Sequence, residues 1–235
     1  MKTSTKVLLI AALSVWALLA AALVTVSRVA AADNAPLSHH DLHGADSSVI
    51  VAPSLDQFTD VHFEGLWGAQ VFYSDRCTVS VTVPAAYQNL VTVTRDGRRL
   101  VCRSPAGLTG DSRAQATIGM PDIRALHAHG QCKITLRDMV LDSLQVRSEG
   151  MTSINSRDLR VTSLDYRGRG MGRLVLNDEG VTNAHVNAEG MGSVELHMLG
   201  GSLSGRLEGM VQLRYTGDVT SNTVSIEGIA LTTRD

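Results

Sequence analysis

The stretch EGMTSINSRDLRVTSLDYRGRGMGRLVLNDEGVTNAHVNAEGMGS, residues 149–193, carries one phrase three times: Glu149-Gly150-Met151, Arg169-Gly170-Met171 and Glu189-Gly190-Met191. Between its copies, apolar and polar residues alternate. Glycines in the same register extend the phrase both ways, since Gly130, Gly150, Gly170, Gly190, Gly209 and Gly228 are 20, 20, 20, 19 and 19 residues apart. Four residues after the first five stand Ile134, Ile154, Leu174, Val194 and Leu213; six residues after them stand Leu136, Ser156, Leu176, Leu196 and Tyr215. A second apolar set closes each repeat: Leu144 and Val146, Leu164 and Tyr166, Ala184 and Val186, Leu203 and Leu207, Val224 and Ile226.

A period of about twenty residues with two-residue alternation inside it is the pattern of a solenoid of short strands. One repeat cannot bury its own inward side chains. The next, laid about 4.8 Å away, pairs its backbone groups and continues the core. The expected fold is therefore all-β: a single-stranded, right-handed parallel β-helix with rungs of about twenty residues. Glycine at a corner lets the chain turn where a Cβ would collide. Asp138, Asp158 and Asp178, each eight residues past its glycine, suit a second turn.

Upstream of the repeat, Val79, Val81 and Val83 alternate with Ser and Thr, and Leu90, Val91 and Val93 lead to Asp96-Gly97. Leu100 and Val101 follow, which predicts a hairpin at that turn. Residues 33–54 are small, polar and aperiodic, and read as a flexible linker. The N-terminus places Lys2 and Lys6 before an apolar run from Val7 to Val26, then Ala30-Ala31-Ala32. That order is a secretory signal cleaved before Asp33, or an uncleaved membrane-anchor helix, because the run approaches the roughly twenty residues that span a bilayer. Residues 1–32 are thus export segment or anchor, 33–54 linker and 55–235 the β-helix. Everything after Ser27 is exported, to the periplasm or beyond, tethered to the inner membrane only through residues 7–26 if these stay attached. No Cys near Asp33 offers a lipoprotein anchor.

Charged residues are only 19% of the chain and the net charge is −2, which leaves no basic surplus for a nucleic-acid partner. Gly numbers 21 and aromatics are 4%, so the core must be built from small and branched side chains. Cys77, Cys102 and Cys132 lie in the exported part, where disulfides persist. An odd count allows at most one internal bridge; Cys77 and Cys102 are the preferred pair, against three small buried hydrophobes as the alternative.

The segment from about Phe58 to Ile229 resembles the head GIN domain of autotransporter adhesins. The residues that carry the resemblance are the opening FTDVHFEG (Phe58–Gly65), the Val- and Thr-rich strands with their hairpin, the lead-in IGMPDI (Ile118–Ile123), and the glycine-centred repeats. Many members of that family carry a Ser-Gly-Ser-Gly type of repeat, whereas this chain reads EGMT, RGMG, EGMG and EGMV. The resemblance implies a β-helix at the envelope or outside the cell and brings no enzymatic activity with it.

Two columns invite a role. The residue after each glycine gives Gln131, Met151, Met171, Met191, Met210 and Ile229. If alternation runs unbroken through the glycine, these methionines face outward as an adaptable apolar stripe or a soft ligand set of the kind Cu(I) favours. If the glycine forms a bulge, they turn into the core. The residue before each glycine gives His129, Glu149, Arg169, Glu189, Glu208 and Glu227. Stacked carboxylates repel; Arg169 relieves one place, while Glu189, Glu208 and Glu227 have no such neighbour. An acidic ridge for a divalent ion or basic partner is one reading, a solvated charged face the other. The linker string His39-His40-Asp41-Leu42-His43 and the pair His127 and His129 read as surface histidines.

No serine elbow, metalloprotease helix motif, Cys-x-x-Cys or P-loop is present. The expectation is a non-enzymatic module without cofactor or resident metal, which binds an envelope protein or polysaccharide. The competing expectation is a polysaccharide lyase or hydrolase, which would need a lateral groove of convergent carboxylates and basic residues. After Leu231 only Thr232, Thr233, Arg234 and Asp235 follow, too few to cap the last rung, so self-association through that open C-terminal rung is a third expectation.

Overall fold

Val79, Val81 and Val83 point inward from β3 (Thr78–Pro84) while Ser80 and Thr82 face partly outward, the alternation that a strand with one buried face requires. The same rule governs the rest of the chain in this computed structural model, which describes residues 47–52, 57–105, 113–229 and 231–234. The chain divides into two units, Met1–Ala45 and Asp46–Asp235, and the described residues all fall in the second. The export or anchor segment 1–32 and the histidines at 39, 40 and 43 lie outside the described residues.

The described part is all-β. In chain order the strands are β1 (Ser47–Ala52), β2 (Asp60–Tyr73), β3, β4 (Thr92–Asp96), β5 (Arg99–Arg103) and β6 (Ala114–Met120). A long extended run follows, β7 (Ala125–Leu199), then β8 (Ser202–Asp218), β9 (Ser221–Gly228) and β10 (Leu231–Arg234). The one helical element among the described residues is a short 3-10 turn, Ala85–Leu90, and none of them forms a helix long and apolar enough to cross a membrane.

The register of the repeat is parallel. β7 pairs β8 from Ala184↔Leu203 to Leu199↔Asp218, and β8 pairs β9 from Ser202↔Ser221 to Gly209↔Gly228. Each pass of the chain therefore lies beside the previous one with equivalent residues aligned. The glycines stack directly: a Cβ built on Gly150 would stand 2.6 Å from the carbonyl oxygen of Gly130, and one on Gly170 2.8 Å from that of Gly150. Their φ angles, +101° and +100°, are those that L side chains avoid. Asp138 and Asp158 adopt φ of +58° and +54°, as expected of the second turn. Asp178 serves that turn differently, its carboxylate accepting from the Leu159 amide at 3.3 Å and from the Ser156 hydroxyl.

The first half departs from simple periodicity. β2 is sandwiched between β5 and β6 on one side and the start of β7 on the other, with Gly65 aligned to Gly130 and Trp67 to Cys132. Two antiparallel additions lie beyond: β4 against β5 through a tight turn at Gly97-Arg98, and β3 against β6. β1 pairs β3 from Ser47↔Pro84 to Ala52↔Val79, so residues 47–52 are strand and not linker. The short apolar run Val49-Ile50-Val51 could not show this by itself, because such a run takes strand form only when a sheet edge accepts its backbone groups.

The core is continuous. Phe63, Trp67, Ile134, Leu136, Leu144, Leu174, Leu196 and Leu213 are buried, Phe63 and Trp67 with ring centroids 5.6 Å apart. Trp67 is satisfied by donating its indole N–H to the Glu64 carbonyl at 2.9 Å. Deeper in the repeat, Tyr166 and Ser148 share a buried hydroxyl pair at 3.1 Å, which removes the cost of two stranded polar groups.

Candidate functional site

The alternation runs unbroken through the glycines, and this decides where both columns face. Residues two before and four after Gly130, Gly150, Gly170, Gly190 and Gly209 are buried, so the neighbours on either side of the glycine point outward. Met151, Met171, Met191 and Met210 are 45–55% exposed, and Ile229 continues the stripe. Met191 lies in register with Met210. No bulge turns them inward.

On the other side of the glycine corner, two outward columns run across successive passes. The nearer one, immediately before the glycine, reads Arg103, Glu64, His129, Glu149, Arg169, Glu189, Glu208 and Glu227 across the pairing. It is a chain of ion pairs. Arg103 grips Glu64 at 2.7 Å and holds its carboxyl below the usual range; His129 meets Glu149 at 3.3 Å, and Arg169 meets Glu189 at 3.3 Å. Glu189, Glu208 and Glu227 do have cationic neighbours: Arg169 serves the first, and Arg206, from the adjacent column, contacts Glu208 at 2.6 Å and also reaches Glu227. Looking only along one column hid that partner. Among the described residues no group of three His, Cys, Asp or Glu side chains is arranged to hold a metal ion.

The second column, three residues before the glycine, reads His62, His127, Arg147, Arg167, Asn187 and Arg206. His62 and His127 stack with ring centroids 4.0 Å apart. Burial, then the neighbouring His62, Arg147 and Arg99, push the His127 imidazole down to about 4; burial and Arg99 lower His62 as well.

Between the two columns runs a trough. One section encloses about 590 Å³ between Arg147, Arg167 and Arg206 on one wall and Glu149, Arg169 and Glu189 on the other, over backbone at Ser148, Gly168 and Ala188. A second section of about 420 Å³, lined by His62, Glu64, His127 and His129, shares Arg147 and Glu149 with the first. The trough is the lateral feature that short, regular repeats were not expected to make. Long side chains wall it, with no inserted loop. Its carboxylates are exposed, Glu149 by 56% beside His129 and Glu189 by 62% in an ion pair with Arg169.

The cysteines are free thiols. Cys77 and Cys102 do not form the preferred bridge, for their elements are not neighbours: Cys102 pairs across to Val93 and Phe63, whereas Cys77 precedes β3 and lies 4.0 Å from the Phe58 carbonyl. Burial pushes the Cys102 and Cys132 thiols up to about 12, so both behave as small hydrophobes.

An all-β protein with parallel passes in register and outward side-chain columns defines the class. The chain belongs to the family described as "Putative auto-transporter adhesin, head GIN domain", which matches residues 57–202. Its fold is similar to that of a "putative adhesin" from Bacteroides fragilis, 13% identical with a TM-score of 0.64 over 82% of this chain and 98% of that one. A "Putative lipid binding protein" from Parabacteroides distasonis, 13% identical, aligns over 82% and 98% with a TM-score of 0.48. A "putative adhesin" from Parabacteroides merdae, 15% identical, aligns over 82% and 97% with a TM-score of 0.41. Comparison with curated proteins finds no match.

Proposed function

We propose that the chain is an exported, non-enzymatic cell-envelope module for adhesion or scaffolding, which acts through side-chain ladders on a right-handed parallel β-helix. The observation that carries this reading is the common register of Gly130, Gly150, Gly170, Gly190, Gly209 and Gly228, each closely facing the one before. That register converts any residue type repeated at one position into a continuous outward stripe. The adhesin description of the family supports the same reading. So does the state of the trough's glutamates, which are solvent-exposed and engaged by Arg or His; a general acid needs a sheltered carboxyl. The signal order at residues 1–32 of the sequence supports export to the periplasm or beyond, with an inner-membrane tether if that segment is retained.

The test is a glycan-array and envelope pull-down screen with the full chain, run beside an assay for glycan turnover. Reproducible capture of a polysaccharide or an envelope protein without turnover is the expected outcome. Catalytic depolymerisation of any captured glycan refutes the reading in favour of a lyase or hydrolase.

Self-association is a second reading, favoured by β9. The β9 pass leaves most of its side chains exposed, with Ile226 at 43%, and Ile229 just beyond it at 79%. A second copy would cover that face. Light scattering over a concentration series checks it, and a strict monomer at the highest concentration rules it out.

A further inference from the structure

The geometry points to the trough as a site for a linear, carboxylate-bearing polysaccharide, with Arg147 and Arg167 as the residues that hold consecutive uronate groups. This rests on the binding-module reading above and names its ligand class and contact residues.

Two guanidinium groups on one wall of the trough have no carboxylate held against them from the other. In the column before the glycines Arg103 holds Glu64 and Arg169 holds Glu189, and Arg206 attends to Glu208 and Glu227. Arg147 and Arg167 occupy consecutive passes of the other column, where their neighbours are His127 and Asn187 and no acid is present. Arg147 makes no ion pair or side-chain hydrogen bond among the described residues. Arg167 has one contact, 3.5 Å to Asp165 on its own strand, and its side chain is 55% exposed. Like charges directly opposite on adjacent strands destabilise a sheet, and here they stand about 4.8 Å apart. An external anion removes that repulsion. The planar, forked guanidinium fits a carboxylate with two parallel hydrogen bonds.

The shape selects a polymer. The two sections share Arg147 and Glu149, so the trough runs unbroken from the pass of His62 to the pass of Arg206. Six passes at about 4.8 Å give a length of about 24 Å, far more than one sugar ring occupies. Arg147 and Arg167 then meet charges that recur along one extended chain. Exposed Glu149 and Glu189 on the facing wall accept hydrogen bonds from sugar hydroxyls. Two other polyanionic partners fit poorly. A lipid would want apolar surface beside the anion, but the methionine stripe lies across the glycine corner, outside the trough's lining. A single-stranded nucleic acid would want exposed Phe, Tyr or Trp to stack on, and the one such residue in the lining, Phe63, is buried.

Calorimetric titration of the full chain with an oligogalacturonate tests the inference, with a neutral glucan oligomer and phosphatidylglycerol vesicles as the comparison arms. The expected result is binding of the uronate alone, weakening as salt is raised. Arg147→Gln and Arg167→Gln should each weaken it by about tenfold or more, the loss expected for a charged hydrogen-bonding partner. Arg173→Gln, outside the trough and paired with Glu195 at 2.9 Å, should leave it unchanged. All three variants are to keep the wild-type far-ultraviolet spectrum. No binding of the uronate, equal binding of the vesicles or the glucan, or an Arg173→Gln loss as large as the Arg147→Gln loss overturns the inference. If the chain captures another envelope ligand and ignores the uronate, the inference falls and the module reading stands. If the uronate binds through Arg147 and is then cleaved, the inference stands and the non-enzymatic reading falls.

Discussion

Gly170→Ala strikes the feature on which the ladders depend. Two penalties combine there. The backbone at φ +100° lies where an L side chain is strained by about 1–3 kcal/mol. The new Cβ would also stand 2.8 Å from the Gly150 carbonyl oxygen and 3.2 Å from its nitrogen. Because both contacts are backbone, two passes must move apart, which costs about 1–3 kcal/mol more by analogy with overpacked cores. Restriction of the unfolded chain returns about 0.4–1 kcal/mol. The net expectation is a loss of about 2–5 kcal/mol. Gly200→Ala is the matched control: its φ is +88°, yet nothing lies within 4 Å of the added Cβ. It carries the dihedral penalty alone, so Gly170→Ala should exceed it by about 1–3 kcal/mol. Urea unfolding followed by circular dichroism reads the difference as about 0.5–1.5 M in midpoint, for a slope of about 2 kcal/mol/M. Hydrogen exchange should quicken in the passes holding Gly150 and Gly190, because each pass depends on its neighbours. Equal losses in the two variants would refute the close stacking of passes.

Four other outcomes follow from the same geometry. His127 titrates at about 4 in the fold against an ordinary 6.5, so the unfolded chain binds more protons between those values; stability is full above about pH 6.5, falls with pH, and levels off below about pH 4. Since the ring is partly exposed, the screened loss is about 1–2 kcal/mol, and His127→Gln should flatten the acid limb of a pH–stability profile. Iodoacetamide at mildly alkaline pH should label Cys77 first and leave Cys102 and Cys132 intact until unfolding, as mass spectrometry would show; a bridged Cys77–Cys102 peptide contradicts this. Met171→Ser with Met191→Ser should alter unfolding free energy by no more than about 0.5 kcal/mol per site, as exposed positions do, whereas a core-sized loss would mean inward methionines. Arg206→Gln should lower thermal stability in dilute buffer and lose that effect in about 1 M salt, where the Glu208–Glu227 repulsion is screened.

What was legible in the sequence is what repeats locally. The spacing of Gly130 through Gly228 announced the parallel register of β7, β8 and β9, because inward and outward positions alternate without interruption. The hairpin at Gly97 was legible for a similar reason, its turn residue sitting between two short apolar runs. Long-range pairing was not. Gly65 stacks on Gly130 although no twenty-residue count connects them, because the excursion through β3, β4, β5 and β6 intervenes. β1 and β2 find their places by edge pairing, which depends on free backbone groups and leaves no periodic trace. The free cysteines follow from the same blindness, since adjacency in sequence pattern did not imply adjacency of strands. The methionine stripe was undecided between two parities, and only the backbone conformation at the glycines resolved it. The partner of Glu208 and Glu227 is not legible along their own column, because Arg206 reaches them from the side.

Pairing from the side also governs how such a surface acquires selectivity. Stacking passes turns one residue choice into a line of identical groups about 4.8 Å apart. A line of like charges is stable only when a second line supplies the opposite sign or when something from outside does. The column of Glu149, Glu189, Glu208 and Glu227 has its partners within the protein, from His129, Arg169 and Arg206. The column of Arg147 and Arg167 lacks an equivalent supply, for Asp165 touches only one of them, and from the side away from the trough. The wall whose carboxylates are already partnered orients a ligand through hydroxyl contacts; the wall of unpartnered guanidinium groups selects for negative charge along the same line. Recognition then depends on spacing as well as sign, because a rigid ladder answers best to a polymer whose charges recur at a matching interval.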